Sequence, residues 1–129
     1  MRKSLLALLL LGTPAFAQQV DCNDAVTQRD MNHCAHERYM TADAELNQAW
    51  GPAMARMKEL DSFVSESEKG AADALLGAQR LWIKYRDAAC EAESWTFKGG
   101  SMEPFVYSSC LEDLTIARTQ RLKDLASEY

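Results

Sequence analysis

Absences narrow the field first. No apolar run is long enough to cross a membrane, since the longest, Leu5 to Leu11, is less than half of the roughly 20 residues that a spanning helix needs. The alternation of apolar and polar residues that marks a half-buried strand is missing, as are internal repeats, low-complexity segments and any linker to a second domain. Histidine is scarce: His33 and His36 are the only two, and they flank Cys34-Ala35 rather than facing a serine and a carboxylate in any pattern suited to acyl transfer. Glu91 and Glu93 are too close in sequence to share one side of a helix, so they do not make a catalytic carboxylate pair. The expectation is a protein that is not an enzyme and carries no cofactor.

The N-terminus supplies a compartment. Met1-Arg2-Lys3, the apolar run, Gly12, Pro14 and the small-x-small triplet Ala15-Phe16-Ala17 have the layout of a secretory signal peptide. Residues 1–17 are therefore expected to be removed near Ala17, leaving residues 18–129 as a single helical domain in the periplasm or outside the cell. A lipid anchor needs a cysteine directly after the cleavage point, but Cys22 follows Gln18-Gln19-Val20-Asp21, so no membrane anchor is expected. Losing Arg2 and Lys3 removes two positive charges and takes the formal net charge from −5 to −7. That balance disfavours nucleic acid as a partner and suits a basic one. Export also bears on Cys22, Cys34, Cys90 and Cys110: an even set of cysteines in an oxidising compartment forms disulfides. A zinc site built on Cys22, Cys34 and the two histidines would need reduced thiolates, so no metal is expected.

The rest of the chain reads as three helices. From Thr27, an N-cap with Asp30 three residues on, Ala35, Tyr39, Ala42, Leu46, Trp50, Met54 and Met57 recur at helical intervals. Gly51-Pro52 should kink or restart this helix. Asp61 to Gly70 is the polar reversal. A second helix, expected over Glu68 to Trp95, carries Ala72, Leu75, Leu76, Gln79, Trp82, Ile83, Arg86, Ala89 and Cys90 on one stripe. After Gly99-Gly100-Ser101, a third stripe runs through Val106, Tyr107, Cys110, Leu111, Leu114, Arg118, Leu122 and Leu125. Short connections between long amphipathic helices give an all-α fold, a small antiparallel up-down-up three-helix bundle stapled by two disulfides.

Four cysteines allow three pairings, and spacing alone does not choose. Helical angles do, provided that the first helix has begun by Thr27. At 100° per residue Cys34 lies about 140° from Tyr39, away from the apolar line, where only the N-terminal segment with Cys22 can reach it. Cys90 and Cys110 come level across the reversal at Gly99-Gly100. The expected bridges are Cys22–Cys34 and Cys90–Cys110.

Polar residues fall inside the apolar stripes. Gln79 and Arg86 lie mid-stripe on the second helix, Arg118 between Leu114 and Leu122 on the third, and Asp43 with Asn32 and Asn47 on or near the first. A buried guanidinium needs an anion, and Asp43 is the best-placed carboxylate for Arg86 or Arg118. The favoured reading is a structural polar network of Asn32, Asp43, Asn47, Gln79, Arg86 and Arg118 that sets helix register. Its rivals are a pocket lined by two arginines for a small carboxylate or phosphate, and arginines that reach out to solvent. Between the second and third helices, Trp95, Phe97, Phe105 and Tyr107 gather around the glycine pair as a candidate partner-binding surface, unless they simply close the end of the core.

Thr27-Gln28, Met31-Asn32, Cys34-Ala35, Tyr39, Ala42-Asp43, Leu46-Asn47, Gln79, Trp82, Tyr85-Arg86-Asp87, Cys90, Gly100-Ser101, Cys110, Leu114-Thr115 and Arg118, in this order and spacing, resemble the LprI-like family. That family is named for a mycobacterial lysozyme-inhibitor lipoprotein, and the resemblance extends from about Cys22 to Leu125. It implies an exported, mostly helical domain without catalytic residues and, at family level, a protein that binds and inhibits lysozyme. An acidic chain is suited to the basic lysozymes of the common host type. The alternative is a helical interaction module of the cell envelope that binds another protein or a small ligand and leaves lysozyme alone.

Overall fold

The computed structural model describes residues 19–127, so the expected signal peptide and its cleavage near Ala17 lie outside the described residues. Three helices account for the domain: α1 (Gln28–Ser62), α2 (Ala71–Ser94) and α3 (Glu103–Ser127), with a single 3₁₀ turn at Trp95–Phe97 after α2. No strand occurs among the described residues. α1 starts where its cap requires, with the Thr27 hydroxyl accepting from the Asp30 amide at 3.1 Å. It continues through Gly51-Pro52 to Ser62 as one helix, so Pro52 does not restart the chain.

α2 begins at Ala71 rather than near Glu68, and the reason is a residue from α1. The Asp61 carboxylate accepts three amides at the start of α2, from Gly70 at 2.8 Å, Ala71 at 2.9 Å and Ala72 at 3.1 Å. A carboxylate from the end of one helix thus caps the next and satisfies donors that would otherwise have no partner in the first turn. Those three bonds, from Gly70 first, hold the Asp61 carboxyl below the ordinary aspartate range.

The helices alternate in direction. Asn32 of α1 reaches Ser101 just before α3, Arg38 pairs with Glu112, and Leu46 packs with Leu122, so α1 and α3 run parallel with α2 antiparallel to both. The most extensive interface joins α1 to α3. Small buried side chains recur at seven-residue intervals on both helices, Ala35, Ala42 and Ala49 on α1 and Ser108 and Thr115 on α3, where Leu122 continues the series as a large one. Small residues facing one another let helix backbones approach closely, and a seven-residue repeat keeps that seam aligned. The larger residues Tyr39, Trp50, Met54 and Met57 are half-buried around this seam.

Two apolar clusters result. One holds Leu46, Ala49, Ala53, Leu75 and Leu122, flanked by Trp50, Met54, Met57, Trp82 and Leu125. The other holds Cys90, Cys110 and Leu111, flanked by Tyr39, Tyr107 and Leu114. Ile83, placed on the apolar stripe of the second helix by its spacing, is 40% exposed, because α2 leans on α1 and α3 along a narrower strip than the spacing implied. Both disulfides pair as the helical angles require, Cys22 with Cys34 and Cys90 with Cys110, each with α-carbons 5.5 Å apart. Cys34 is nonetheless buried, although it lies off the apolar line.

Cys90–Cys110 ties α2 to the α1–α3 pair. Replacing both cysteines with alanine is expected to lower unfolding free energy by about 3 kcal/mol, with the largest loss of amide hydrogen-exchange protection in α2. Equal loss across all three helices would show that α2 is not the least secured element. For Asp61→Asn, the carboxyl is depressed in the folded protein, so its contribution is complete above the unfolded value of about 3.9 and fades as pH falls through the lower folded value. The midpoint gap between wild type and Asp61→Asn should therefore be constant near neutrality and narrow in acid; a gap that does not change with pH refutes the cap.

Candidate functional site

Arg86 is the most deeply placed charge, at 7% exposure, and all three helices meet around it. Its Nη1 donates to Asp43 Oδ1 on α1 and to Thr115 Oγ1 on α3, both at 3.3 Å, and its Nε donates to the neighbouring Asp87 Oδ1 at 2.9 Å. The guanidinium carbon also stands 5.5 Å from the Tyr39 ring centre and 5.2 Å from that of Trp82. Burial pushes the guanidinium down, but the Asp87 hydrogen bond, the charges of Tyr39 and Asp87 and the Asp43 hydrogen bond outweigh it, leaving the group above its ordinary value. The Tyr39 phenol is raised chiefly by its own burial, against the pull of Arg86.

The remaining polar residues divide into separate groups. Asn47 donates to the Asp43 carboxylate at 3.4 Å and so joins the Arg86 cluster. Gln79 accepts from Arg118 Nε at 2.8 Å, and the Trp82 ring centre lies 5.9 Å from the Arg118 guanidinium. Asn32 is remote from both: it accepts from Gln28 at 2.8 Å and donates to the Ser101 carbonyl at 2.9 Å. Arg118 has no carboxylate partner among the described residues, and its buried Nη2 makes no hydrogen bond. Burial, followed by the charge of Arg121, holds its pKa below the ordinary arginine value.

A groove beside Arg86 is lined by Asp43, Leu46, Asn47, Trp50, Leu76, Gln79, Ile83 and Arg86, while Arg118 lines a different hollow with Arg121, Asp124 and Leu125. The Trp82 ring centre is 5.2 Å from the Arg86 guanidinium and 5.9 Å from that of Arg118, and Gln79, which lines the Arg86 groove, accepts from Arg118. Arg86 is already engaged by two carboxylates, whereas Arg118 has none among the described residues.

The aromatic segment divides too. Phe105 and Tyr107 are half-buried in the first turns of α3, with Tyr107 against the Cys90–Cys110 cluster. Trp95 and Phe97 are exposed at 59% and 37%, and Met102 lies beside them in sequence at 40%. Their loop is pinned. Glu103 accepts from the Gly99 amide at 2.7 Å and from Lys98 Nζ at 2.9 Å, and the Lys98 ammonium stands 5.0 Å from the Trp95 ring centre. Gly99 adopts a φ of +76°, in the left-handed region, and a side chain at Gly100 would meet the Phe97 carbonyl oxygen at 3.1 Å. The Gly99 bond, then Lys98, holds the Glu103 carboxyl below its usual range. The periodic signal used for the helices carried no information on these loop bonds; the Gly-Gly pair ahead of an acidic first turn is the one local cue.

The two arginines should respond oppositely to replacement by methionine. Arg86→Met leaves Asp43 and Thr115 without their donor and is expected to cost about 2–4 kcal/mol. Arg118→Met removes a desolvated cation that has no carboxylate partner among the described residues and should stay within about 1 kcal/mol of wild type or stabilise. Denaturant midpoints at neutral pH decide this, and equal losses for the two variants would contradict the assignment.

Known proteins place this geometry. A family model described as "Lysozyme inhibitor LprI" matches residues 21–122. An uncharacterized protein of Rhizobium meliloti (strain 1021) is 47% identical over 126 residues, covering 93% of this chain and 91% of that protein. The crystal structure of a DUF1311 family protein from Pseudomonas putida KT2440 superposes with a TM-score of 0.68 at 24% identity, over 80% of this chain and 97% of that one, and shares the fold. The matched span contains both disulfides, the Arg86 junction and the pinned loop, and the chain belongs to the LprI lysozyme-inhibitor family.

Proposed function

We propose that the protein is an exported inhibitor that binds lysozyme through the loop between α2 and α3. Family membership over residues 21–122 carries the reading, and the two disulfides support residence in an oxidising compartment. Residues 1–17 act as the export signal, cleaved near Ala17, and release a protein without a membrane anchor into the periplasm or medium. Trp95, Phe97 and Met102 form the contact surface, with Glu93 exposed nearby in sequence. Aromatic side chains on a loop already held in place lose little freedom on binding, which favours affinity. The net negative charge accelerates encounter with a basic enzyme.

Purified residues 18–129 at micromolar excess should slow cell-wall clearing by at least one of several lysozyme types, and less so as salt rises. Phe97→Ala should weaken inhibition about tenfold or more. Unchanged clearing with every lysozyme type would refute inhibition and leave a helical interaction module of the envelope. Inhibition that survives Phe97→Ala and Trp95→Ala together would move the contact surface elsewhere.

A further inference from the structure

The outward side of α2 carries a second apolar stripe. Ala78, Leu81, Tyr85, Ala88, Ala92 and, opening the 3₁₀ turn directly after α2, Trp95 alternate at spacings of three and four residues and are all exposed, Leu81 at 69%, Tyr85 at 62% and Trp95 at 59%. On a helical wheel this stripe lies opposite Gln79, Arg86 and Cys90, which face the bundle, so no part of the described chain covers it. Three- and four-residue alternation is the pattern by which one helix packs along another.

The stripe is complementary to itself. From these positions we infer that two copies of the protein pair through antiparallel α2 helices. In the register that sets Tyr85 against Ala88 of the second copy, Leu81 meets its Ala92 and Ala78 meets its Trp95, so each layer matches a large side chain with an alanine. The same register brings Lys84 beside Glu91 of the second copy, and by symmetry Glu91 beside its Lys84. Both residues are exposed, and neither forms an ion pair among the described residues. A parallel arrangement has neither property: Tyr85 would stack on Tyr85, and Lys84 would face Ala89. A two-fold antiparallel pair is also the self-complementary arrangement that closes without forming fibres. This inference stands apart from lysozyme binding, although Trp95 belongs to both surfaces, so pairing would withdraw it from the loop.

Sedimentation equilibrium of residues 18–129 across micromolar to about 0.5 mM concentrations tests the pairing, with circular dichroism melts to verify folding. A concentration-dependent dimer is expected. Leu81→Asp should abolish it without changing the melt, because Leu81 is exposed in the single copy. Lys84→Glu converts both ion pairs to repulsions and should weaken the dimer about tenfold or more, and the double change Lys84→Glu/Glu91→Lys should restore it. A wild type that remains monomeric throughout overturns the inference, as does a dimer indifferent to Leu81→Asp. Failure of the double change to recover what Lys84→Glu loses overturns the antiparallel register. None of these outcomes depends on whether lysozyme is inhibited.

Discussion

A guanidinium at 7% exposure is the constraint around which this small bundle is arranged. Taking a cation out of water costs several kcal/mol unless anions and hydrogen-bond acceptors replace the hydration, and Arg86 receives them from every helix. Asp43 comes from α1, Asp87 from α2 and Thr115 from α3. Because these bonds are directional, a slip of one helix by a turn would strand the charge. Arg86 also sits between the two apolar clusters, touching Tyr39 of one and Trp82 of the other, and so joins halves that apolar packing leaves apart.

The helices are not equally secured. α1 and α3 share a seam of alanine, serine and threonine, whereas α2 lies across the pair with fewer interlocking side chains. Three devices hold α2 in place: the Asp61 carboxylate at its first turn, Arg86 about two-thirds of the way along and the Cys90–Cys110 bridge one turn further on. Such pinning leaves the outward side of α2 free of structural duty. Large apolar residues there take no part in the core of the single copy, which leaves them available for the pairing proposed above.

The loop after α2 follows the same logic on a smaller scale. Glu103 and Gly99 fix its path, Asn32 attaches it to α1, and Trp95 and Phe97 remain outside. For the contact proposed above, a loop that is rigid before binding avoids an ordering cost. In a family described by lysozyme inhibition, this is where aromatic side chains, a pinned backbone and nearby carboxylates coincide.

The helices and the disulfides could be read from residue order, because both depend on the angle between successive side chains of a helix and on the short reversals that make neighbours antiparallel. The same angles put Arg86, Gln79 and Arg118 on inward faces and predicted that Arg86 or Arg118 would need Asp43. Periodicity reports direction around a helix axis, however, and says nothing of depth or distance. Only the tertiary structure decided that both arginines would lie near the Trp82 ring, that Arg118 would find Gln79 rather than a carboxylate among the described residues, and that Asn32 would hold a loop. It also decided that Asp61 would cap α2 across a reversal, a contact made through space between residues nine to eleven positions apart. Local sequence sets which side chains face inward; which of them meet depends on how three helices slide and tilt against one another, and that is settled by the packing of the α1–α3 seam together with the directional bonds of Arg86.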